Sequence, residues 1–154
     1  SFEEIIQKGL RMIGQGMHGF VGNDHTKFEN LDEELANPTD LRIFSIASAL
    51  EEGYSIERIH ELTKIDKWFL QKLQHIMDTS KEMHEWGNNH KQITDMPDEL
   101  LRKAKVQGFS DFQIARALGL EQAMDGEEAI LAVRNFRKSA GILPVVSRWE
   151  SFRW

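Results

Sequence analysis

Apolar residues recur along this chain at the three- and four-residue spacing of amphipathic helices, and no segment shows the sustained alternation of a strand. At the N-terminus, Ser1 precedes an acidic first turn, and a helical apolar stripe follows at Ile5, Ile6, Leu10 and Ile13. The same spacing predicts further helices over 39–52, 56–63, 67–86, 97–107, 111–118 and 127–139, with a short helical turn near 31–35. The sequence therefore predicts an all-α protein without a sheet.

Glycine and N-capping residues separate these helices at recurring places. Gly53 and Ser55 separate one helix pair, and Gly108 and Ser110 separate a later pair. In both places the intervening residue is aromatic, and an isoleucine follows the serine by four positions. The recurrence predicts paired helical units of a helix-turn-helix kind.

The organisation of the chain follows from where these patterns stop. The segment 87–95 (GNNHKQITD) is polar and typical of a linker. We therefore expect two small helical subdomains, about 1–86 and 96–146, followed by an aromatic and basic tail over 147–154. The glycine-rich stretch 14–37 lacks a helical stripe, which predicts a long surface excursion.

The apolar faces of the central helices predict a buried core, to which the second Gly-aromatic-Ser unit adds one isoleucine. The residues expected in the core are Phe44, Ile46, Ile59, Leu62, Ile65, Phe69, Leu73 and Ile114.

Four apolar residues of the 14–37 stretch lie outside any helical stripe, namely Met17, Phe20, Val21 and Phe28. Apolar side chains grouped in this way are not ordinarily left in water. Either they fold back over the first subdomain, or they contact a partner chain. A loop alone barely supplies the ~800 Å² per partner of a standard interface, so both alternatives stay open. These four are the candidate self-association residues.

Composition and net charge exclude several classes of protein. The chain has 154 residues, 40% of them hydrophobic, which suffices for one domain or two small subdomains with a core. Its formal charge of −6 argues against nucleic acid or an anionic membrane as the main partner. The absence of cysteine excludes disulfides, thiol catalysis and Cys-ligated zinc. No apolar run approaches the ~20 residues of a membrane span, and we expect an intracellular setting.

No arrangement of residues predicts a catalytic, cofactor-binding or metal site. The six histidines form no dense ligand pair at helical spacing, and the acidic pairs lie in first turns or on solvated faces. The glycines at 14, 16, 19 and 22 follow a helix rather than a strand, and they lack the Gly-Lys-Ser/Thr ending of a phosphate loop.

The helix-turn-helix outline leaves nucleic-acid binding as an alternative function. The helix beginning near 67 carries Lys67, Gln71 and Lys72, but also Asp78 and Glu82. Net acidity removes the phosphate-neutralising contribution that dominates DNA affinity. An acidic helix-turn-helix module that binds DNA or protein is therefore the alternative, and an orphan helical enzyme fragment is a third hypothesis.

Five segments occur in one order along the chain: SFEEIIQKGLRM, NPTDLRIFSIASAL, GYSIERIHELTKIDKWFLQKL, ELLRKAKVQGFSDFQIARALGL and GILPVV. Together, from Ser1 to about Val146, they resemble the oligomerisation domain of the carbamoyl-phosphate synthase large subunit, or synthetase region. The resemblance implies an all-helical, noncatalytic scaffold that joins two ATP-grasp halves and contributes to self-association. The first segment would be the helix that leaves the first half.

The resemblance also implies a parent enzyme that makes carbamoyl phosphate from bicarbonate, ammonia or glutamine, and ATP, for arginine or pyrimidine biosynthesis. Its ATP and Mg²⁺ would bind the ATP-grasp halves, so we expect no cofactor in this chain. The implied partners are other copies, the ATP-grasp halves or both, in the cytoplasm or the mitochondrial matrix. The sequence departs from the family pattern at 124–126, which resembles a small insertion, and after Val146, where it continues as SRWESFRW.

Overall fold

A computed structural model describes residues 1–13, 17–24, 27–90 and 92–143 of the protein. Over these residues the chain forms eight α-helices and two short 3₁₀ turns, and it forms no strand. The helices are α1 (Phe2–Ile13), α2 (Leu31–Ala36), α3 (Arg42–Glu51), α4 (Ile56–Thr63), α5 (Lys67–Asn89), α6 (Asp98–Val106), α7 (Asp111–Ala117) and α8 (Gly126–Ser139). The 3₁₀ turns are Ile93–Asp95 and Leu120–Gln122. The prediction of an all-α protein is confirmed.

Several helices begin where the sequence places a capping side chain. At α4, the Ser55 hydroxyl accepts a hydrogen bond from the backbone N–H three residues later at 3.2 Å. At the start of α5, the Asp66 carboxylate accepts a hydrogen bond from the backbone N–H two residues later at 2.7 Å. At the start of α7, the Ser110 hydroxyl accepts one from the backbone N–H three residues later at 3.1 Å. These bonds satisfy N–H groups that have no partner inside the helix.

The two Gly-aromatic-Ser turns share one geometry. Gly53 and Gly108 have φ angles of +89° and +81°, in the left-handed region that favours glycine. The N–H groups of Tyr54 and Phe109 each donate to the carbonyl five residues earlier, at 2.8 and 3.0 Å. Each bond satisfies a carbonyl group at the end of the preceding helix. The recurrence in the sequence is therefore a structural repeat.

The longest helix, α5, extends beyond its predicted end. It continues to Asn89, so Gly87 is helical rather than part of a polar linker. A Cβ atom on Gly87 would overlap the carbonyl group of Leu118, lying 2.8 Å from its carbon. The glycine thus permits a close approach between α5 and the residue that follows α7. The rest of the predicted linker includes the 3₁₀ turn, whose Ile93 is buried.

The buried hydrophobic residues form one cluster that draws on both halves of the chain. The central helix α5 contributes Leu73 and Ile76, α3 contributes Ile46, and α7 contributes Ile114. Helix α5 also contacts α1, α4 and α6. The division into two subdomains stays a prediction, and the core is continuous across the proposed boundary.

The predicted core residues mostly lie in this cluster or against it. The fully buried ones are Ile46, Ile59, Leu73 and Ile114. Those that are half-buried and pack against the cluster are Leu62, Ile65 and Phe69. The prediction that Phe44 lies in the core is wrong, since its half-buried side chain lines a surface cavity instead. The reason is that α3 buries an adjacent face, formed by Ser45, Ile46, Ala49 and Leu50.

Leucine-to-alanine substitutions at one buried and one exposed position test the placement of the core. Leu73 is 0% exposed, so Leu73→Ala should lower the free energy of unfolding by about 2–5 kcal/mol. Leu131 on α8 is 53% exposed, and Leu131→Ala should change it by no more than about 0.5 kcal/mol. Urea unfolding followed by circular dichroism measures both. Similar midpoints for the two variants would contradict the placement of α5 at the centre of the core.

Candidate functional site

Three of the four predicted self-association residues, Phe20, Val21 and Phe28, lie in or against the core of their own chain. Phe20 is 1% exposed and Val21 is 8% exposed, and both belong to the buried cluster. Met17 and Phe28 are half-buried, and Phe28 packs against the same cluster. Of the two alternatives left open by the sequence, folding back is the one observed for Phe20 and Val21. Self-association stays a prediction, but these two side chains offer almost no surface for it.

A pair of buried glutamines holds this segment in place. Gln7 of α1 is 0% exposed and Gln113 of α7 is 1% exposed. The Gln113 amide nitrogen donates to the Gln7 amide oxygen and to the Val21 carbonyl, each at 2.8 Å. The Phe20 N–H also donates to the Gln7 oxygen, at 3.1 Å. The two amides therefore join α1, α7 and the segment 17–24.

Further hydrogen bonds complete this amide pair. The Gln7 nitrogen donates to the Gln107 carbonyl at 3.3 Å. The Gln113 oxygen accepts from the Ser110 N–H at 3.0 Å and from the Arg11 guanidinium at 3.1 Å. Buried polar groups cost stability when they lack partners, so these contacts fix the positions of both side chains.

Gly19 allows the segment to pass the amide pair. Its φ angle is +138°, a conformation that residues with a side chain rarely adopt. A Cβ atom there would overlap the Gln7 amide oxygen and lie 2.6 Å from the Gln113 amide nitrogen. Of the other glycines noted in the sequence, Gly14 and Gly16 lie outside the described residues, as does the tail 147–154.

Three contacts hold the outer edge of the same segment. Arg116 donates to the Gly22 carbonyl at 3.0 Å and pairs with the Asp24 carboxylate at 2.6 Å. The His18 ring stacks on Phe112, with 4.0 Å between the ring centroids. The predicted surface excursion is therefore a fixed part of the fold over 17–24.

Asp111 joins α6, α7 and α8 electrostatically. Its carboxylate lies 3.1 Å from the Arg137 guanidinium, 3.2 Å from the Lys105 ammonium and 3.8 Å from Arg134. Burial alone would raise the pKa of Asp111, but the hydrogen bonds from Arg137 and the charge of Lys105 lower that pKa below its ordinary value. Burial lowers the pKa of Lys105 despite the attraction of Asp111.

The first helix, α1, buries polar side chains and exposes apolar ones. Gln7 and Glu3 are 0% and 7% exposed, whereas Ile5 and Met12 are 67% and 81% exposed. The Glu3 carboxylate has a partner across the helix contact, since it lies 3.2 Å from the His75 ring nitrogen on α5. The inner face of α1 is thus held by hydrogen bonds as well as by apolar packing.

The predicted apolar stripe of the first helix is consequently only half correct. Ile6 and Leu10 pack against the buried cluster, whereas Ile5 and Ile13 point away from it and are exposed. The cause is Gln7, whose two partners in the core fix the rotation of α1 about its axis.

A cavity of about 540 Å³ opens beside α1. Its apolar lining consists of Val106, Phe109, Ile142 and Leu143, and its charged lining consists of Glu4, Lys8, Arg11, Arg102 and Lys105. Two of the four cationic side chains are already paired, Lys8 with Glu4 at 2.9 Å and Lys105 with Asp111 at 3.2 Å. Ser1 and Leu143 also line this cavity.

A second cavity, of about 490 Å³, lies between α3, α5 and α7 beside the segment 20–24. Phe44 and Met77 supply apolar lining, and Lys81, Glu85 and Arg116 supply charges of both signs. The Lys81 ammonium donates to a backbone carbonyl at 3.3 Å. This mixed lining selects no particular class of ligand.

In the described residues, no group of three or more His, Asp or Glu side chains is placed to hold a metal ion. His60 and His90 instead contact backbone carbonyls through their ring nitrogens, at 2.6 and 2.8 Å. Within the same ranges, no helix combines the length and the apolar character that crossing a bilayer requires.

The described residues form an all-helical fold. Residues 1–141 match the family described as the carbamoyl-phosphate synthetase large chain, oligomerisation domain. The chain belongs to this family, and the resemblance seen in the sequence is confirmed. The alternative of an acidic helix-turn-helix module that binds DNA or protein is not favoured.

Several relatives share this domain. The chain is 46% identical over 144 residues to the multifunctional protein pyr1-3 of Dictyostelium discoideum, covering 93% of this chain and 6% of that protein. It is 44% identical over 152 residues to the mitochondrial arginine-specific carbamoyl phosphate synthase large chain of Neurospora crassa, covering 98% and 12%. It is 45% identical over 151 residues to the multifunctional protein CAD of Squalus acanthias, covering 98% and 6%. The chain therefore spans only a small part of each relative's length.

Gly19 provides a test of the amide pair. Gly19→Ala would place a methyl group against the Gln7 amide in an unfavourable backbone conformation, so it should cost about 2–4 kcal/mol of stability. Gly126→Ala is the matched control, because a Cβ atom there meets nothing within 4 Å. It should leave stability unchanged or raise it by up to about 1 kcal/mol. Denaturant titration measures both, and equal midpoints would show that the amides are not closely packed.

The lowered pKa of Asp111 predicts a pH dependence of stability. Because its pKa is lower in the folded chain than the ordinary value, its contacts stabilise the fold above that ordinary value and are lost as the pH falls through the folded one. Asp111→Asn should therefore be less stable than the wild type by about 1.5–3 kcal/mol near neutral pH. The difference should shrink as the pH falls below about 4.

The exposed Asp40 supplies the control for this titration. Asp40→Asn should follow the wild-type curve at every pH. Denaturant midpoints measured from neutral to strongly acidic pH give all three curves. A constant difference between Asp111→Asn and the wild type would show that the Asp111 contacts do not depend on its charge.

Proposed function

We propose that this chain is a noncatalytic scaffold within a carbamoyl-phosphate synthase large chain, where it connects and positions two ATP-grasp halves. The observation that carries the proposal is the match of residues 1–141 to the family described as the carbamoyl-phosphate synthetase large chain, oligomerisation domain. The small share of each relative that this domain occupies supports the same role.

A scaffold of this kind must be rigid, and α1 is tied to the turn between α6 and α7. The Ser1 hydroxyl donates to the Val106 carbonyl at 2.7 Å. Near the opposite end of α1, the Arg11 guanidinium donates to the Gly108 carbonyl at 3.0 Å. Both ends of α1 are therefore fixed to the same short stretch of chain.

The end of α8 is tied to the same region. Arg137 of α8 is 5% exposed and donates to the Ile142 carbonyl at 3.1 Å. The same guanidinium holds the Asp111 carboxylate at the start of α7. Helices α1 and α8 are thus both held to the region between α6 and α7, which supports a rigid scaffold.

In such a parent, ATP, Mg²⁺ and the synthesis of carbamoyl phosphate from bicarbonate and ammonia or glutamine would belong to the ATP-grasp halves. The partners of this chain would be those halves and further copies of itself. The parent would serve arginine or pyrimidine biosynthesis, in the mitochondrial matrix or the cytoplasm. The name of the mitochondrial, arginine-specific relative supports one of these pairings.

The isolated chain should neither hydrolyse ATP nor form carbamoyl phosphate, because phosphoryl transfer needs a phosphate cradle and bound Mg²⁺. Phosphate release with MgATP, bicarbonate and ammonium measures this. A double variant, Lys81→Ala with Arg116→Ala, alters the charged lining of the 490 Å³ cavity and separates any activity of this chain from a contaminant. Mg²⁺-dependent turnover that disappears in the double variant would overturn the scaffold role.

A further inference from the structure

We propose that the 540 Å³ cavity binds a small phosphate monoester, whose anionic group contacts Arg11 and Arg102 and whose apolar part contacts the hydrophobic lining. Ligand binding at this place is independent of the proposed scaffold function. Three features of the cavity support it: two arginines bound to uncharged groups, an excess of positive charge around them, and an apolar wall.

Arg11 and Arg102 differ from the other cations of the cavity in what they contact. The Arg11 guanidinium donates to two backbone carbonyls and to the Gln113 amide oxygen, at 3.4, 3.0 and 3.1 Å, and all three bonds use one nitrogen. Arg102 donates to a backbone carbonyl at 3.3 Å. Lys8 and Lys105 are instead paired with carboxylates. Within the described residues, no carboxylate pairs with either guanidinium, so their remaining N–H groups can bind an anion.

The environment of Arg11 favours such an anion. Burial lowers the pKa of Arg11 below its ordinary value despite the attraction of Glu4. The Glu4 carboxylate lies 2.9 Å from the Lys8 ammonium, so it compensates the charge of Arg11 only in part. A cation withdrawn from water without a close counterion costs free energy. A bound anion would offset that cost.

The region around the cavity carries an excess of positive charge. Asp111 contacts three cations, at 3.2, 3.8 and 3.1 Å. One of them, Arg137, also donates to the carbonyl of Ile142, a lining residue. The cavity and this cluster together contain two carboxylates, Glu4 and Asp111, and six cationic side chains, Lys8, Arg11, Arg102, Lys105, Arg134 and Arg137. This excess favours a doubly charged phosphate monoester over a singly charged carboxylate.

The apolar lining favours a monoester over free phosphate. It consists of Val106, Phe109, Ile142 and Leu143. Phe109 and Ile142 are 1% and 5% exposed and belong to the buried cluster, so the core fixes their positions. A ligand with an apolar group gains free energy by covering such a wall. The cavity volume of about 540 Å³ lies in the range of about 300–1,000 Å³ that is usual for small-molecule sites.

Phenyl phosphate is the probe for this site, because it joins one phosphate group to one aromatic ring. Two glycines with the same turn geometry report where it binds, since Gly108 lines the cavity and Gly53 does not. In a nuclear magnetic resonance titration of the 154-residue chain at constant ionic strength, the amide signals of Gly108 and Gly141 should shift and saturate, and that of Gly53 should not move. Inorganic phosphate and phenol should each bind roughly tenfold more weakly, because each lacks one of the two groups.

Two variants that each remove one positive charge test the role of the arginines. Arg102 is exposed, so Arg102→Gln should leave the denaturant midpoint unchanged and weaken phenyl phosphate binding roughly tenfold. Lys64 is an exposed residue at the end of α4, and Lys64→Gln should bind phenyl phosphate as the wild type does. The same loss of charge thus has different effects at the two positions.

Salt provides a test that needs no substitution. Raising the ionic strength from about 0.01 to about 0.1 M shortens the Debye length from about 30 to about 10 Å, so phenyl phosphate should bind the wild-type chain several-fold more weakly. An affinity that does not change with salt would overturn the proposal.

The variants and the probes also have results that contradict phosphate monoester binding. Equal affinity in the wild type and Arg102→Gln, or shifts that never saturate, would indicate an adventitious ion only and would overturn the proposal. Equal affinity for phenol and phenyl phosphate would overturn it as well, because apolar contact alone would then explain binding. None of these results bears on the scaffold function, which ATP turnover tests separately.

Discussion

The contact between the Gln7 and Gln113 side chains determines how the rest of the fold is arranged. Both amides are buried, so each must find hydrogen-bond partners inside the protein. Those partners come from α1, from the segment that contains Phe20 and Val21, and from α7. Leaving one buried polar group unpaired costs about 1–3 kcal/mol, a large share of the about 5–15 kcal/mol that stabilises an ordinary domain. The N-terminal helix and the later helical repeat are therefore stabilised together.

The same contact explains why α1 presents apolar side chains to solvent. Rotating α1 to bury Ile5 would carry Gln7 away from Gln113 and from the Phe20 N–H. The exposed face is thus a consequence of hydrogen bonding on the opposite face. Phe44 shows the same effect on a smaller scale, since the buried face of α3 next to it is set by Ile46 and Ala49.

Local signals made the helix boundaries predictable, while contacts distant in sequence were not. Ser55, Asp66 and Ser110 cap helices with bonds to residues two or three positions away, and a sequence displays such pairs directly. The sequence predicted a linker at Gly87, because the Leu118 carbonyl that leaves no room for a side chain there lies far along the chain.

In the candidate site too, local contacts could be predicted from the sequence and contacts distant in sequence could not. The stretch containing Phe20 left two alternatives open because its anchors belong to other helices. Gln113 could be recognised as a capping residue three positions after Ser110, but nothing local showed that its nitrogen bonds Val21, 92 residues away. Periodicity placed Ile5 and Ile6 on one apolar stripe. Because the buried Gln7 fixes the rotation of α1, Ile5 is exposed and Ile6 packs against the core.

The exposed face of α1 also bears on how such a domain stays in solution before its neighbours have folded. A nascent large chain would present this apolar surface as soon as the domain forms, when contact between molecules can lead to aggregation. The net charge of −6 opposes such contacts through mutual repulsion, which is effective over a Debye length of about 8 Å at physiological ionic strength. High salt weakens this repulsion without weakening apolar attraction. The acidity of the chain therefore opposes aggregation through its exposed apolar side chains.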